Sequence, residues 1–493
     1  MKRLIFAIAA AFVLSAAADA PAAKPADKAK RPPNVVLILI DDMGWQDLGC
    51  TGNTFIETPA IDALAAKGQR FTQAYASAPN CAPTRGCLMS GQYTPRHGVY
   101  TVVDPRQPVG APWHKLLAAD SKSDMPTEVV TVAETLKARG YATAMFGMWN
   151  LGRGKSGPTT PTGQGFDIFK DPKDIGFEKD AYQDAQGQQL CNAVTDQGLA
   201  FIKSKKDQPF FLYLPYHDIH APFNPRADLL AKYEKKKAAM PADAAHDPAY
   251  AATVENLDDN IARLVKFLKD EGLADNTILL FTSDNGATKP FCSPLRGSKG
   301  ELYEGGIRVP MIAYVPGFTQ AGSICETPVS SVDIHPTLIE LSGATAPKQP
   351  LDGKSLLPLF KRQTFAQRPI YWHFPCYIGS SKPSSALRLG DWKLLEFFED
   401  DHIELYNLKD DPAESKNLAS TDPARAKAML DQLHAWQKDT GAICPHTANP
   451  AYDPKASRPK GNSKFKIQDS KFKMERNEIQ EGKLKMNNAN LEF

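Results

Sequence analysis

At 493 residues the chain is long enough for a large buried core and more than one domain. Its 42% hydrophobic and 23% charged residues are ordinary for a folded globular protein, which excludes a fibrous or largely disordered class. A net charge of +2 is near balance and gives no reason to expect a nucleic-acid partner, so recognition must come from local sites.

The N-terminus runs from a basic start, Met1-Lys2-Arg3, through an apolar stretch, Leu4 to Leu14, to small residues around Ala18 and Ala20. That order is an export signal over 1–20 and predicts a periplasmic or secreted protein; an uncleaved or lipid-anchored helix is the alternative. Residues 21–33, rich in Ala, Pro and Lys, read as a linker. No other stretch reaches about 18 apolar residues, so no membrane span is expected. The eight cysteines form no CxxC pair.

Asn34 to Ile40 is a continuous β-branched and Leu run, the pattern of a strand buried on both faces of a parallel sheet. Asp41-Asp42-Met43-Gly44 comes at once after it. Ligands of open α/β sheets bind beyond the strand ends, and adjacent carboxylates repel unless a cation lies between them. The pair reads as a hard-cation site or as a solvated turn. Thr58 to Gly68 predicts a short helix, with Pro59 at its first position and Gly68 as its stop. A strand over Phe71–Ala76 then leads to Cys81-Ala82-Pro83-Thr84-Arg85-Gly86. A helix starting near Cys87 would put Cys81 and Arg85 at its N-terminus, where backbone N–H groups favour an anion. Arg85 adds a forked donor.

Val129–Arg139 is a predicted helix and Tyr141–Phe146 a strand ending in Gly147-Met148-Trp149-Asn150-Leu151-Gly152. Pro209–Pro215 is another buried strand, with His217 and His220 just beyond it. Two His on a loop could ligate zinc; one His handling a proton is the preferred reading, and surface decoration the bland one. Asp247–Gly272 is a long helix with Tyr250, Val254, Leu257, Ile261, Leu264 and Leu268 at helical spacing. After a strand over Asn276–Phe281, Asp284 and Asn285 are further oxygen donors for the same sheet edge, and Gly-rich turns surround Lys299. Taken alone, Lys299 reads as a surface loop lysine. Beyond Phe360, four short alternating runs from Pro369 to Asn407 predict a small antiparallel sheet, closed by a helix over Ala424–Lys438. The lysine-rich near-repeat at Asn462–Gln468 and Asp469–Glu475 belongs to a tail, 449–493, read as disordered.

Cys-x-Pro-Thr-Arg at 81–85, with the Asp pair, Asp284-Asn285, Lys299 and the Gly147–Gly152 motif in order, resembles the type I sulfatases of the alkaline phosphatase superfamily. The resemblance runs from Asn34 to about Leu418. It implies an α/β fold: a large, mostly parallel sheet flanked by helices over 34–360, and a smaller antiparallel sheet plus helix over 361–448. It further implies one calcium ion on Asp41, Asp42, Asp284 and Asn285, beside Cys81. Cys81 would be oxidised to formylglycine by a formylglycine-generating enzyme, and Arg85 would stabilise it. His220 and Lys299 would contact the sulfate and its bridging oxygen, and Asp284 would take the nucleophile's proton. A sulfated enzyme would result, from which a His releases sulfate.

One stretch departs from the pattern. The family motif is Gly-Lys-Trp-His-Leu-Gly; here Met148 replaces the Lys and Asn150 the His. Asn150 can hydrogen-bond but cannot act as a base near neutral pH. Release of sulfate is therefore expected to suffer more than the first step. Trp372, His373 and Arg388, in runs resembling carbohydrate and aryl sulfatases, are candidate substrate contacts together with His217; core packing is the alternative for the aromatics. The expected substrate is a sulfated glycan or aryl sulfate. A non-catalytic sulfoglycan-binding homologue and a phosphodiester or phosphonate hydrolase are the competing readings.

Overall fold

The computed structural model describes residues 31–102, 110–154, 156–178, 181–241, 246–379 and 381–457. The expected leader, nearly all of the linker, and the chain from 458 onward lie outside the described residues. The main sheet contains β1 (Asn34–Ile40), β2 (Gln69–Tyr75), β3 (Ala142–Phe146), β4 (Ile168–Lys170), β5 (Phe210–Tyr216), β6 (Thr277–Ser283), β7 (Arg308–Tyr314), β8 (Ser323–Cys325) and β9 (Val329–Ser330). Its order is β4-β3-β5-β1-β6-β7-β2-β8, with β9 also on β2. Strands β4 to β6 of that order pair in parallel, and β7 alone runs antiparallel to its neighbours β6 and β2.

Every residue of β1, β5 and β6 is buried, as continuous apolar runs require in a sheet covered on both faces. Val36, Ile38 and Ile40 face the helices Pro59–Lys67, Leu190–Lys205 and Pro248–Asp270. Val35, Leu37 and Leu39 face Cys81–Ser90, Val132–Ala138 and Ile334–Ser342. Strand register brings the polar ends together. Ile40 pairs with Tyr216 on one side and with Ser283 on the other. The three central strands therefore stop at one level, and the next residues, Asp41, His217 and Asp284, emerge side by side.

A second sheet, β10 (Pro369–Phe374), β11 (Ser384–Leu389), β12 (Trp392–Phe397) and β13 (Ile403–Asn407), is antiparallel in that order. Its side chains alternate as strands demand. Leu387, Leu394 and Leu405 pack with Met429 and Leu433 of the helix Pro423–Thr440. Trp372, Ala386, Leu395 and Tyr406 pack on Tyr75, Leu302 and Ile307 of the main body.

Two expectations need correcting. The helix expected near Cys87 begins at Cys81, so Cys81 occupies its first turn and Arg85 its second. Pro83 is tolerated there because the first N–H groups of a helix have no internal acceptor. The segment expected to be disordered from Asn449 is ordered to 457. Asn449 is buried, its side-chain amide donates to the carbonyls of Ala111 (2.9 Å) and His114 (2.8 Å), and Ala448 bridges to Leu116.

Candidate active site

Asn80, in extended conformation, caps the helix that opens at Cys81. The chain into it is fixed: the Thr84 hydroxyl donates to the Ala78 carbonyl at 2.8 Å and accepts from the Ala78 N–H at 3.2 Å. Cys81 thus stands beside the ends of β1 and β6. One ligand atom each from Asp41, Cys81 and Asp284 lie within 4.8 Å of one another, all from buried residues.

Arg85 is fully buried behind them. Its Nε and Nη2 donate to Asp284 Oδ2 at 2.9 and 2.8 Å, and Nη2 also to Asp41 Oδ2 at 3.0 Å. Nη1 donates to the Met148 carbonyl, which ties the loop after β3 to the same point. Lys299 enters from the opposite loop, with Nζ 2.6 Å from Asp42 Oδ1 and 3.8 Å from Asp41 Oδ1. His217 Nδ1 lies 2.5 Å from Asp41 Oδ2. Its ring stacks on His220, centroids 4.6 Å apart. His220 Nδ1 donates to the Ala221 carbonyl at 2.8 Å, leaving Nε2 to face Asp42 Oδ2 at 3.9 Å. The imidazoles stack with each Nδ1 held by the protein, which suits proton handling better than gripping zinc between them.

Two turns present the oxygen donors. Asp42 has φ 66°, the left-handed region, and its N–H points to Asp284 Oδ1 at 3.4 Å. Gly286 comes directly after Asn285, and a Cβ there would sit 2.0 Å from the Gly305 carbonyl oxygen, so only glycine lets the two turns close. Ser283 Oγ donates to the Ile40 carbonyl and accepts from the Met43 N–H, stitching β1 to β6 at the point where the acids diverge.

The charges do not balance. Asp41, Asp42 and Asp284 face two permanent cations, Arg85 and Lys299. Burial, and after it the Asp41 charge, pushes Asp284 up to about 7. Burial raises Asp41 as well, but His217, Lys299 and Arg85 outweigh it and hold that carboxyl well below its usual range. Below about pH 7 the metal-free cluster therefore takes up a proton. Burial opposes charge on Lys299, yet Asp42 and the other anions hold it well above its ordinary value. Burial lowers His220, leaving it neutral near pH 7, and raises the Cys81 thiol, with Asp41 adding to the effect.

A divalent cation fits this set. Asp41 Oδ1 and Asn285 Oδ1 are buried and accept no hydrogen bond. Oxygen donors left without a hydrogen are a cost unless a cation meets them, and hard-oxygen donors suit calcium. The same charges make stability depend on pH. Asp284 and Asp47, both raised to about 7 by burial, bind protons in the folded chain that the unfolded chain releases near its ordinary carboxylate value. Stability from these groups is present at low pH and is lost as pH rises toward about 7. Scanning calorimetry of chelator-treated protein should show Tm falling from about pH 5 to about pH 8, and excess calcium should flatten the fall. A flat or rising metal-free profile would refute this.

Nine expected residues thus converge: Asp41, Asp42, Cys81, Arg85, His217, His220, Asp284, Asn285 and Lys299. Asn150 lies on the adjoining loop, two residues past the Met148 carbonyl, at φ 61°. Trp372, His373 and Arg388 do not join them, and their reading as substrate contacts is corrected. Trp372 is fully buried and donates to the Ala76 carbonyl at 2.7 Å. His373 is buried between Ser385 Oγ (2.7 Å) and the Ile443 carbonyl (3.2 Å). Arg388 is buried on Tyr75 and Gln73. These side chains join the two sheets and offer no free face to a ligand.

A sulfatase family model matches residues 33–344. The chain belongs to the sulfatase family. A model of the C-terminal region of N-sulphoglucosamine sulphohydrolase matches residues 298–439. A sulfatase of Formosa agariphila is 33% identical over 83% of this chain and 89% of its own. Human arylsulfatase A is 32% identical over 83% and 87%. The crystal structure of Ps i-CgsB superposes with TM-score 0.71 at 27% identity, covering 85% of this sulfatase and 95% of that chain. That protein has also been solved with k-i-k-neocarrahexaose. Members of this family hydrolyse sulfate esters of carbohydrates or aryl sulfates, and this chain is a sulfuric ester hydrolase by that membership. No helix among the described residues is long and apolar enough to cross a membrane.

Sequence reasoning passed over Ser283, Asp47 and Tyr250. Asp47 stands close after the Asp pair, which could have drawn attention to it. Tyr250 was legible only as one apolar position of a helix.

Proposed function

We propose that this sulfatase removes sulfate from a sulfated carbohydrate outside the cytoplasm, using formylglycine at position 81 and one calcium ion. The observation that carries the reading is the meeting of Cys81 with Asp41 and Asp284 around buried, unsatisfied oxygens. The saccharide preference is supported by the oligosaccharide complex of Ps i-CgsB, and the location by the N-terminal leader.

Asp41, Asp42, Asp284 and Asn285 would hold the calcium, which when bound supplies Lewis acidity to a sulfate oxygen. Oxidation of Cys81 by a formylglycine-generating enzyme supplies an aldehyde whose hydrate offers a hydroxyl nucleophile. Arg85 fixes Asp41 and Asp284 and keeps both as acceptors. Asp284 is the nearest base for the hydroxyl proton. Lys299, held protonated, brings positive charge to the transferring sulfate and is the proton donor at hand for the departing alcohol, while His220 presents Nε2 beside it as a hydrogen-bond acceptor.

Mass spectrometry of the Cys81 peptide is the deciding experiment. It should find the aldehyde in protein co-produced with a formylglycine-generating enzyme, and Cys81→Ala should lose turnover while still binding sulfated oligosaccharide. Met148 and Asn150 favour a second reading, a sulfoglycan-binding homologue. An unmodified thiol with retained glycan binding would select that reading. Faster turnover of phosphodiesters than of sulfate esters would point to a phosphoester hydrolase instead.

A further inference from the structure

Beneath the cation cluster lies a contact that the sulfate chemistry does not use. Asp47 is buried, and its Oδ2 accepts from the Gly44 N–H at 2.6 Å and from the Tyr250 hydroxyl. The Asp47 N–H points back to the Gly44 carbonyl at 3.3 Å. The turn Gly44–Asp47, which follows directly on Asp41 and Asp42, is thereby closed on one carboxylate oxygen. Tyr250 is itself fixed. It sits in the first turn of the helix Pro248–Asp270, where its N–H donates to the capping residue Asp247 at 3.1 Å.

The ring of Tyr250 reaches two further loops. It stacks on Phe291, centroids 4.2 Å apart and planes 9° apart. It meets Phe223 edge-on at 5.2 Å. Phe223 lies just beyond His220 in the loop after β5, and Phe291 lies in the loop after Asp284 and Asn285 at the end of β6. One side chain therefore touches the loops leaving β1, β5 and β6, the three strands whose ends carry the candidate ligands and His220.

We propose that Tyr250 is a positioning residue for the sulfatase reaction: its hydroxyl, through Asp47, sets the Asp41–Asp42 turn, and its ring holds the His220 and Asp284 loops against that turn. The physical basis is preorganisation. Oxygen ligands from separate loops bind a cation tightly only if their spacing is fixed beforehand, and packing plus outer hydrogen bonds fix it. Tyr250 touches neither substrate nor ion and acts only through these loops. The inference rests on the calcium reading.

The test uses Tyr250→Phe, which keeps the stacked ring and removes the hydroxyl, and Asp47→Asn as a second variant. Purified, chelator-treated full-length protein is titrated with calcium chloride by calorimetry, and Tm is measured without metal. Loss of one charge-assisted hydrogen bond should weaken calcium binding about tenfold in each variant. Metal-free Tm should stay within about 3 °C for Tyr250→Phe, and saturating calcium should restore kcat. A purely structural role would lower metal-free Tm and leave the calcium dissociation constant alone. Dissociation constants within about twofold of the parent in both variants would overturn the inference. Parent protein that binds no calcium would overturn the calcium reading and this inference with it, whereas tight parent binding with unchanged variants sinks this inference alone.

Discussion

Protein carrying formylglycine at position 81 will release the alcohol of a sulfate ester in one fast turnover and then slow sharply. The reason lies in the loop after β3. The Met148 side chain brings no charge to the sulfate, and its carbonyl is engaged in accepting from Arg85. Asn150 stands where the motif that this stretch resembles has His, and an amide cannot take a proton near neutral pH. In the proposed reaction, attack on sulfur would still have Asp284, Lys299 and His220, which stand together at the site. Release of sulfate lacks the base at this position. A general base is worth about 10²–10⁴ in rate, so the steady state should lag the first turnover by at least about a hundredfold. Stopped-flow measurement of alcohol release against enzyme concentration reads the burst directly, and Met148→Lys with Asn150→His should raise the steady rate while leaving the burst intact. Equal burst and steady rates in the parent would defeat the prediction. His217, stacked on His220 and bonded to Asp41, would then be the next base to substitute.

What could be read beforehand came from local chemistry. β1, β5 and β6 announced themselves as short apolar runs ending in acids or histidines, and buried strands in a parallel sheet leave few other readings. Their common level was not legible, because register is settled by pairing across hundreds of residues. β2 shows the same limit. The chain β1–helix–β2 looks like neighbouring strands, yet β6 and β7 lie between them. The small sheet misled for a different reason. Trp372, His373 and Arg388 alternate along strands as a sugar-binding surface would, but an interface between two sheets uses the same residues. Tyr75, Gln73 and Ala76 decide the matter, and they come from the far end of the sequence. Tyr250 was hidden because helical spacing marks a residue as buried without saying which loops it meets.

Arg85→Met should cost about 3–5 kcal/mol of stability, because removing one partner of a buried ion pair leaves the others uncompensated. Arg85 is fully buried and bonds two carboxylates and a carbonyl at once. Without it, the three acids face only Lys299 and His217. The loss must depend on pH. In the parent, Asp41 is held low by His217, Lys299 and Arg85 against the effect of burial, so its contribution is present above the ordinary carboxylate range and falls away in acid. Taking Arg85 away removes the chief charge that opposes burial at Asp284, while Asp41 keeps His217 and Lys299. The folded variant then binds more protons than the unfolded chain, and its stability falls as pH rises. Denaturant titrations should find the deficit smallest near about pH 5 and largest near about pH 8, with calcium recovering part of it. Arg85→Lys should lie between, since an ammonium keeps the charge but cannot span Asp284, Asp41 and the Met148 carbonyl together. A metal-free Arg85→Met protein within about 1 kcal/mol of the parent at about pH 8 would mean that the acids are already protonated or hydrated there, and that Arg85 is not what holds the cluster together.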